Sequence, residues 1–217
     1  FFVSIDMKKG VILIAILLVP SVVYMLFSLG EHNTTRLGFY GSIIGVDDNG
    51  DTLYASVKLP DLMGMSDNKL SGDELPQKVR IIHAFNWPCD NQCVDNISTL
   101  NNYLNKVERK EDWELMSICV DSISAQNLES LSKKRIYTGD NWQFYRLQNL
   151  ADQSILDEVF EMNPSRSNPG EYIALLDQSN GVREYLNLRT QQDNKKLQDA
   201  IKLIIQEPHI SWKQKTK

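Results

Sequence analysis

Apolar positions change their spacing several times along this chain, and each change marks a new element. The first stretch is unbroken: GVILIAILLVPSVVYMLFSL, from Gly10 to Leu29, is about 20 residues without a charge, the length that crosses a hydrocarbon core as a helix. A polar, turn-rich lead-in follows from Glu31 to Asp51, with VDDNGD at 46–51 as a turn signal. TLYASVKLPDLM, residues 52–63, predicts a strand stopped by Pro60, and NKLSGDELPQK a loop. VRIIHAFNW, residues 79–87, is a nearly continuous apolar run of strand length, as in a central strand covered on both faces. Between Val94 and Val107, the spacing of Ile97, Leu100, Leu104 and Val107 predicts an amphipathic helix. WELMSICVD, residues 113–121, is a second buried strand. AQNLESLSKKR predicts a short helix, WQFYRL a short extended piece, and ADQSILDEVFEMN another helix before NPG breaks the chain. EYIALLDQSNGVREYLNL, residues 171–188, is a hairpin turned at SNG. Asp193 to Gln206 closes the pattern as a helix with Leu197, Ala200, Ile201, Leu203 and Ile204 on its packing side.

The resulting order is β, α, β, α, β, β, α. Two units with helical crossovers, then a hairpin and a final helix, form the thioredoxin-like plan: an α/β fold whose central mixed sheet is flanked by helices. An N-terminal transmembrane helix is expected ahead of it. Met7, Lys8 and Lys9 precede the apolar run, and the two lysines keep the short N-terminal end in the cytoplasm and send the remainder outward. Phe1 to Asp6 add nothing to this reading. A cleaved signal peptide is the competing reading, with small residues at Ser28 and Gly30, but its apolar region would be only about 7–15 residues long. Pro20 is tolerated in a membrane helix. The expected division is a cytoplasmic end at 1–9, an anchor at 10–29, a linker at 30–51 and a thioredoxin-like domain at 52–217. The expected location is the inner membrane, with the domain on the periplasmic side.

Charge and cysteine content narrow the chemistry. A net charge of -5 offers no basic stripe for nucleic acid, which is set aside. The three cysteines, at 89, 93 and 119, all lie in the exported part and are too few for a disulfide framework, so a hydrophobic core must hold the domain. None stands near the end of the apolar run to carry a lipid.

Two of them fall in WPCDNQC, residues 87–93, between the first core strand and its helix. A helix N-terminus exposes unpaired amides and a partial positive charge, which stabilise a thiolate. Cys89, at the helix entrance, is the candidate attacking thiol, and Cys93 the more buried resolving thiol. Asp90 and Asp95 favour the helix start but oppose the thiolate, so activation is expected to be modest. Closure is feasible, because Cα atoms four apart on a helix lie about 6 Å from each other. Two other readings stay open: a pair that oxidises by default and does nothing further, and a soft-metal site for Cu(I), which needs a third ligand.

The run from YASVKLPDLM through VRIIHAFNWPCDNQCVDNISTLNNYL, then WELMSICVDS, YTGDNWQFYRLQNL and EYIALLDQSNGVREYLNL, with LGFYG at 37–41, resembles the Sco/SenC family of thioredoxin-like, membrane-anchored proteins from about Leu37 to Ile205. The resemblance implies a copper chaperone or thiol–disulfide reductase serving the copper centre of respiratory oxidases. The family holds copper with two cysteines of a C-P-x-x-C-P motif and a distant histidine. Cys89 and Cys93 match the cysteines; Asp90 and Val94 replace the prolines, and Pro169 stands where the histidine is expected. Thiol–disulfide exchange on a client protein is therefore the primary expectation, with a non-catalytic interaction module and a Cu(I) chaperone as alternatives.

The remaining residues receive plainer roles. Of the histidines at 32, 83 and 209, His83 lies in the first core strand, about 20 Å from Cys89 along an extended chain, and is expected in the core. Cys119 is expected to be a small core residue. Asp121 matches the acidic residue of a V-D-P-like family block and is a potential cap for the following helix. Phe85 and Trp87 are core aromatics or an apolar rim for a client. Met63, Met65 and Met116 form no methionine cluster in sequence, and KKR at 133–135 is a solvated patch.

Overall fold

The structure, a computed structural model, describes residues 18–22, 37–46, 52–134, 139–161 and 171–207. The chain divides into two compact units, Phe1–Thr35 and Arg36–Lys217. In the first, residues 18–22 are helical; the rest of the expected anchor at 10–29 lies outside the described residues. Among the described residues, no helix is long and apolar enough to cross a membrane.

The second unit contains β1 (Ile43–Val46), β2 (Thr52–Tyr54), β3 (Leu62–Gly64), β4 (Lys69–Leu70), β5 (Val79–Phe85), α1 (Asn91–Leu104), β6 (Trp113–Cys119), α2 (Ala125–Ser132), β7 (Trp142–Leu147), α3 (Gln153–Glu161), β8 (Tyr172–Leu176), β9 (Val182–Asn187) and α4 (Gln191–Gln206). Seven strands form one mixed sheet in the order β4-β3-β7-β6-β5-β8-β9. β5, β6 and β7 are parallel, while β8 and β3 run antiparallel to their neighbours β5 and β7. Parallel strands require crossovers, and α1 and α2 supply them.

All seven residues of β5 are buried, as its continuous apolar run predicts. Strand alternation divides them. Val79, Ile81 and Phe85 join a core with Cys93, Ile97, Leu100 and Leu104 of α1 and Leu197, Ile201 and Ile204 of α4. Ile82 and Ala84 face the opposite core with Leu156 and Val159 of α3. Burial of each such Leu or Ile side chain contributes about 1.5–3 kcal/mol, which is how a 14-residue helix of no net hydrophobicity is held on the sheet.

Several boundaries differ from those the sequence predicts. The strand expected over 52–63 is two pieces: β2 pairs back onto β1, and β3 joins the main sheet beside β7. Between them Val57 and Leu59 are buried, and Val57 N–H donates to the Asn180 carbonyl at 2.9 Å. The lead-in expected to be a linker carries β1 and a bridge from Tyr40 to Val182. α1 starts at Asn91 rather than Val94 because Asp90 caps it, accepting from Cys93 N at 2.9 Å. In α4, Leu203, expected on the packing side, is half-exposed, and Ile205 is buried at 4% exposure.

Candidate functional site

β5 and β6 run parallel and in register from Val79 opposite Trp113 to Phe85 opposite Cys119, so their C-terminal ends emerge side by side. Residues 86–90 leave that end and turn into α1. Here Cys89 and Cys93 are joined by a disulfide, with Cα atoms 5.3 Å apart. Cys93 stands in the first turn of α1 at 8% exposure, whereas Cys89, ahead of the cap, is half-buried. The more accessible sulfur is thus the one expected to attack. No acidic residue stands in the first turn of α1, so its amide end faces the sulfur pair with only the Asp90 cap carrying negative charge.

Three hydrogen bonds fix the loop. One is the Asp90 cap on α1; in the second, Val120 N–H donates to the Phe85 carbonyl at 3.0 Å and extends the β5–β6 ladder. The third is from Trp87 N–H to Asp121 Oδ2, at 2.7 Å. Asp121 does not cap the following helix. Ser124 does so, its side chain accepting from Asn127 N at 3.2 Å. A carboxylate accepting from a backbone amide is the stronger, charge-assisted kind of hydrogen bond. Asp121 therefore holds the strand exit two residues before Cys89, a role missed in the sequence because its partner is 34 positions away. Trp87 is half-buried and packs against the core beside Cys89, so it is at once a core aromatic and part of the rim around the sulfur pair.

Cys119 and His83 occupy the core beneath. The Cys119 thiol is buried and donates to the Asp121 carbonyl oxygen at 3.6 Å. Burial pushes it up to about 11, which keeps it protonated and unreactive. His83 is fully buried, its Nδ1 3.3 Å from Ser117 Oγ, and that oxygen accepts from Trp142 Nε1 at 3.0 Å. Its ring stacks on Phe85 at 5.9 Å, and Nε2 has no hydrogen-bond partner. Burial lowers its pKa to about 4, so it is neutral at pH 7. His83 is a core residue and does not reach the sulfurs as a ligand from the surface.

Among the described residues, no group of three or more His, Cys, Asp or Glu side chains is placed to hold a metal ion. Once reduced, Cys89 and Cys93 offer two sulfur donors, one short of what a stable Cu(I) site usually needs. Pro169, His32 and His209 lie outside the described residues. Met116 is buried in the core on the α3 side of the sheet, away from the cysteines.

No family model and no curated protein matches the chain. Solved structures do. A SCO1/SenC family lipoprotein from Bacillus anthracis str. Ames aligns with a TM-score of 0.56 at 14% identity, covering 69% of this chain and 94% of its own. BsSco, a member of the Sco family of cytochrome c oxidase assembly proteins in which a disulfide switch was identified, aligns with a TM-score of 0.56 at 13% identity, over 69% and 94%. Arabidopsis thaliana ScoI with copper bound aligns at 0.52 and 14% identity, over 70% and 99%. The fold is thioredoxin-like. The neighbours include Sco/SenC proteins, in keeping with the resemblance carried by the sequence blocks, and nearly their whole length is matched within this chain. In this thioredoxin-like domain the cysteine pair occupies the loop from the first core strand into its helix.

Proposed function

We propose that the chain is a membrane-anchored protein of Sco/SenC type whose exported domain exchanges electrons between the Cys89–Cys93 pair and the cysteines of a client protein. The observation that carries this is the asymmetry of the pair: a half-buried Cys89 before the amide end of α1 and a buried Cys93 within it. In the dithiol form, the Cys89 thiolate attacks one sulfur of a client disulfide. The client's other sulfur leaves as a thiolate, and a mixed disulfide joins Cys89 to the client. The Cys93 thiolate then attacks Cys89 Sγ, expels the second client thiolate, and re-forms the Cys89–Cys93 bond. Two electrons pass to the client, and its thiolates take up protons from water. A thiol reductant outside this chain must open the pair before each turn.

The likeness to a cytochrome c oxidase assembly protein and to a copper-bound relative supports a client whose cysteines bind copper in a respiratory oxidase. Copper is then cargo for that client site, and thiol exchange prepares the ligands. Uncharged residues 10–29 and the preceding lysines support an inner-membrane anchor with the domain in the periplasm.

Replacing Cys93 with Ser should trap a client on Cys89 as a mixed disulfide, recoverable by alkylation and non-reducing separation. Recovery of no covalent partner while the Cys89 thiol remains reactive would refute exchange. The absence of family prolines after either cysteine favours a second reading, a non-catalytic interaction domain with a structural bond. A reduction potential above about -230 mV marks an exchangeable pair, and one below about -300 mV a bond that glutathione leaves intact.

A further inference from the structure

β1 and β2 form a two-stranded sheet of their own and leave Ile43, Ile44, Val46 and Leu53 exposed at 66%, 67%, 63% and 44%. Directly opposed residues share a face, so Ile43 and Val46 lie with Tyr54 and Thr52 on one face and Leu53 lies on the other. A two-stranded ribbon is marginal in water, and one with exposed apolar side chains on both faces marks an element that meets a partner or a membrane. The base of the hairpin is fixed to the domain. Tyr40 bridges to Val182, Ala55 N–H donates to the Ser42 carbonyl at 2.9 Å, and Phe39 stacks on Tyr54 at 4.8 Å. Arg183, 2% exposed, donates to the carbonyls of Leu37 and Gly38 at 3.1 Å each.

That base lies at the end of the sheet opposite the disulfide. β8 runs antiparallel to β5 with Ile173 against His83 and Leu176 against Arg80, so the turn from β8 to β9 sits at the N-terminal end of β5. Arg80 reaches Asn180 of that turn at 2.6 Å, and the hairpin base is bonded to Asn180 and Val182. The cysteine loop leaves the other end of β5, six residue steps or about 20 Å along the strand.

We propose that the hairpin rests on the lipid bilayer, with these four apolar side chains in the interface. The proposal deepens the anchored reading and rests on it. The apolar run ends at Leu29, 14 positions before Ile43, a tether of at most about 50 Å. A covalent leash that short keeps the hairpin at high local concentration beside an apolar medium, so a contact too weak to recruit a free domain suffices to orient a tethered one. Asp47, Asp48 and Asp51 of the intervening sequence point to a neutral rather than an anionic lipid surface. Docked in this way, the domain turns its disulfide away from the bilayer, toward client cysteines that stand clear of the membrane surface.

The test uses the full chain in phosphatidylcholine vesicles, with a nitroxide label on Ile44→Cys or Val46→Cys and a control label on Ser98→Cys, an exposed position of α1. The closed Cys89–Cys93 bond and the buried Cys119 restrict labelling to the introduced thiol. Vesicle flotation is scored alongside collisions with oxygen and with a water-soluble nickel chelate. Flotation with loss of chelate collisions at 44 and 46, but not at 98, is the expected result. Flotation with chelate collisions at 44 and 46 equal to those at 98 overturns the docking and leaves the anchor standing. Failure to float overturns both. Spin–spin broadening at 44 or 46 would show a second copy of the chain on the hairpin and overturn the bilayer as occupant.

Discussion

His83 makes the stability of this domain depend on acid in a way that can be worked out beforehand. The ring is fully buried, its Nε2 has no partner, and burial lowers its pKa from 6.5 to about 4. The unfolded chain therefore binds a proton near pH 6.5 that the native chain refuses until about 4, so stability is full above that window and falls as pH drops through it. Between pH 7.5 and 4.5 the loss is about 2–3 kcal/mol, because stability falls by about 1.36 kcal/mol per pH step wherever only the unfolded chain is protonated. Urea unfolding of the unit from Arg36 onward, followed by fluorescence of the buried Trp113 and Trp142, reads this as a midpoint lowered by roughly 1–2 M. Carboxylates also weaken the fold in acid, so the decisive comparison is with His83→Phe, whose ring keeps the stack on Phe85 and does not titrate. The variant should lose less stability than the parent over this range by about the same 2–3 kcal/mol, whatever its stability at neutral pH. Parallel losses in the two proteins would refute the assignment.

Two further outcomes follow from the residues around the cysteines. Asp121→Ala strips the Trp87 amide of its carboxylate acceptor and should lower stability by about 1.5–3 kcal/mol, or roughly 3–12 °C in thermal unfolding, while Asp121→Asn retains an acceptor and much of the stability; equal losses in both variants would point to the charge instead of the hydrogen bond. Native oxidised protein treated with iodoacetamide at pH 8 should leave Cys119 unmodified until the chain is unfolded, because its thiol is buried and pushed up to about 11; rapid native labelling at 119, read by mass, would contradict this.

The elements legible in the sequence are those whose pattern is complete within a few residues. β5 is an unbroken apolar run, the β8–β9 hairpin surrounds SNG with Asn180 at φ 62°, and α4 repeats its apolar positions over four turns. What stays hidden depends on a partner far along the chain. β1 offers only IIGV, and becomes a strand because Thr52–Tyr54 pairs with it; the VDDNGD signal, which by itself suggests a linker, stands between two strands. The Cys89–Cys93 pair is visible from spacing, and so is its place at a helix start. The hold of Asp121 on Trp87 is not, since only the parallel register of β5 and β6 brings those ends together.

A bond between residues four apart closes so short a loop that chain entropy assigns it about 2 kcal/mol, against about 4.7 for a loop of 100 residues. The domain does not rely on so small a contribution, for it has helices packed on both faces of a seven-stranded sheet. The contacts that shape the loop also bypass sulfur: Asp90 to the Cys93 amide, Asp121 to the Trp87 amide, and the ladder bond from Val120 to Phe85. Opening the disulfide removes none of these partners. A loop whose geometry is set by its backbone, with one sulfur half-exposed, the other buried four residues on, and the third thiol locked in its protonated form, releases two thiols while keeping its scaffold. That arrangement is what the proposed exchange requires, since the thiols must open and close without loss of the loop that presents them.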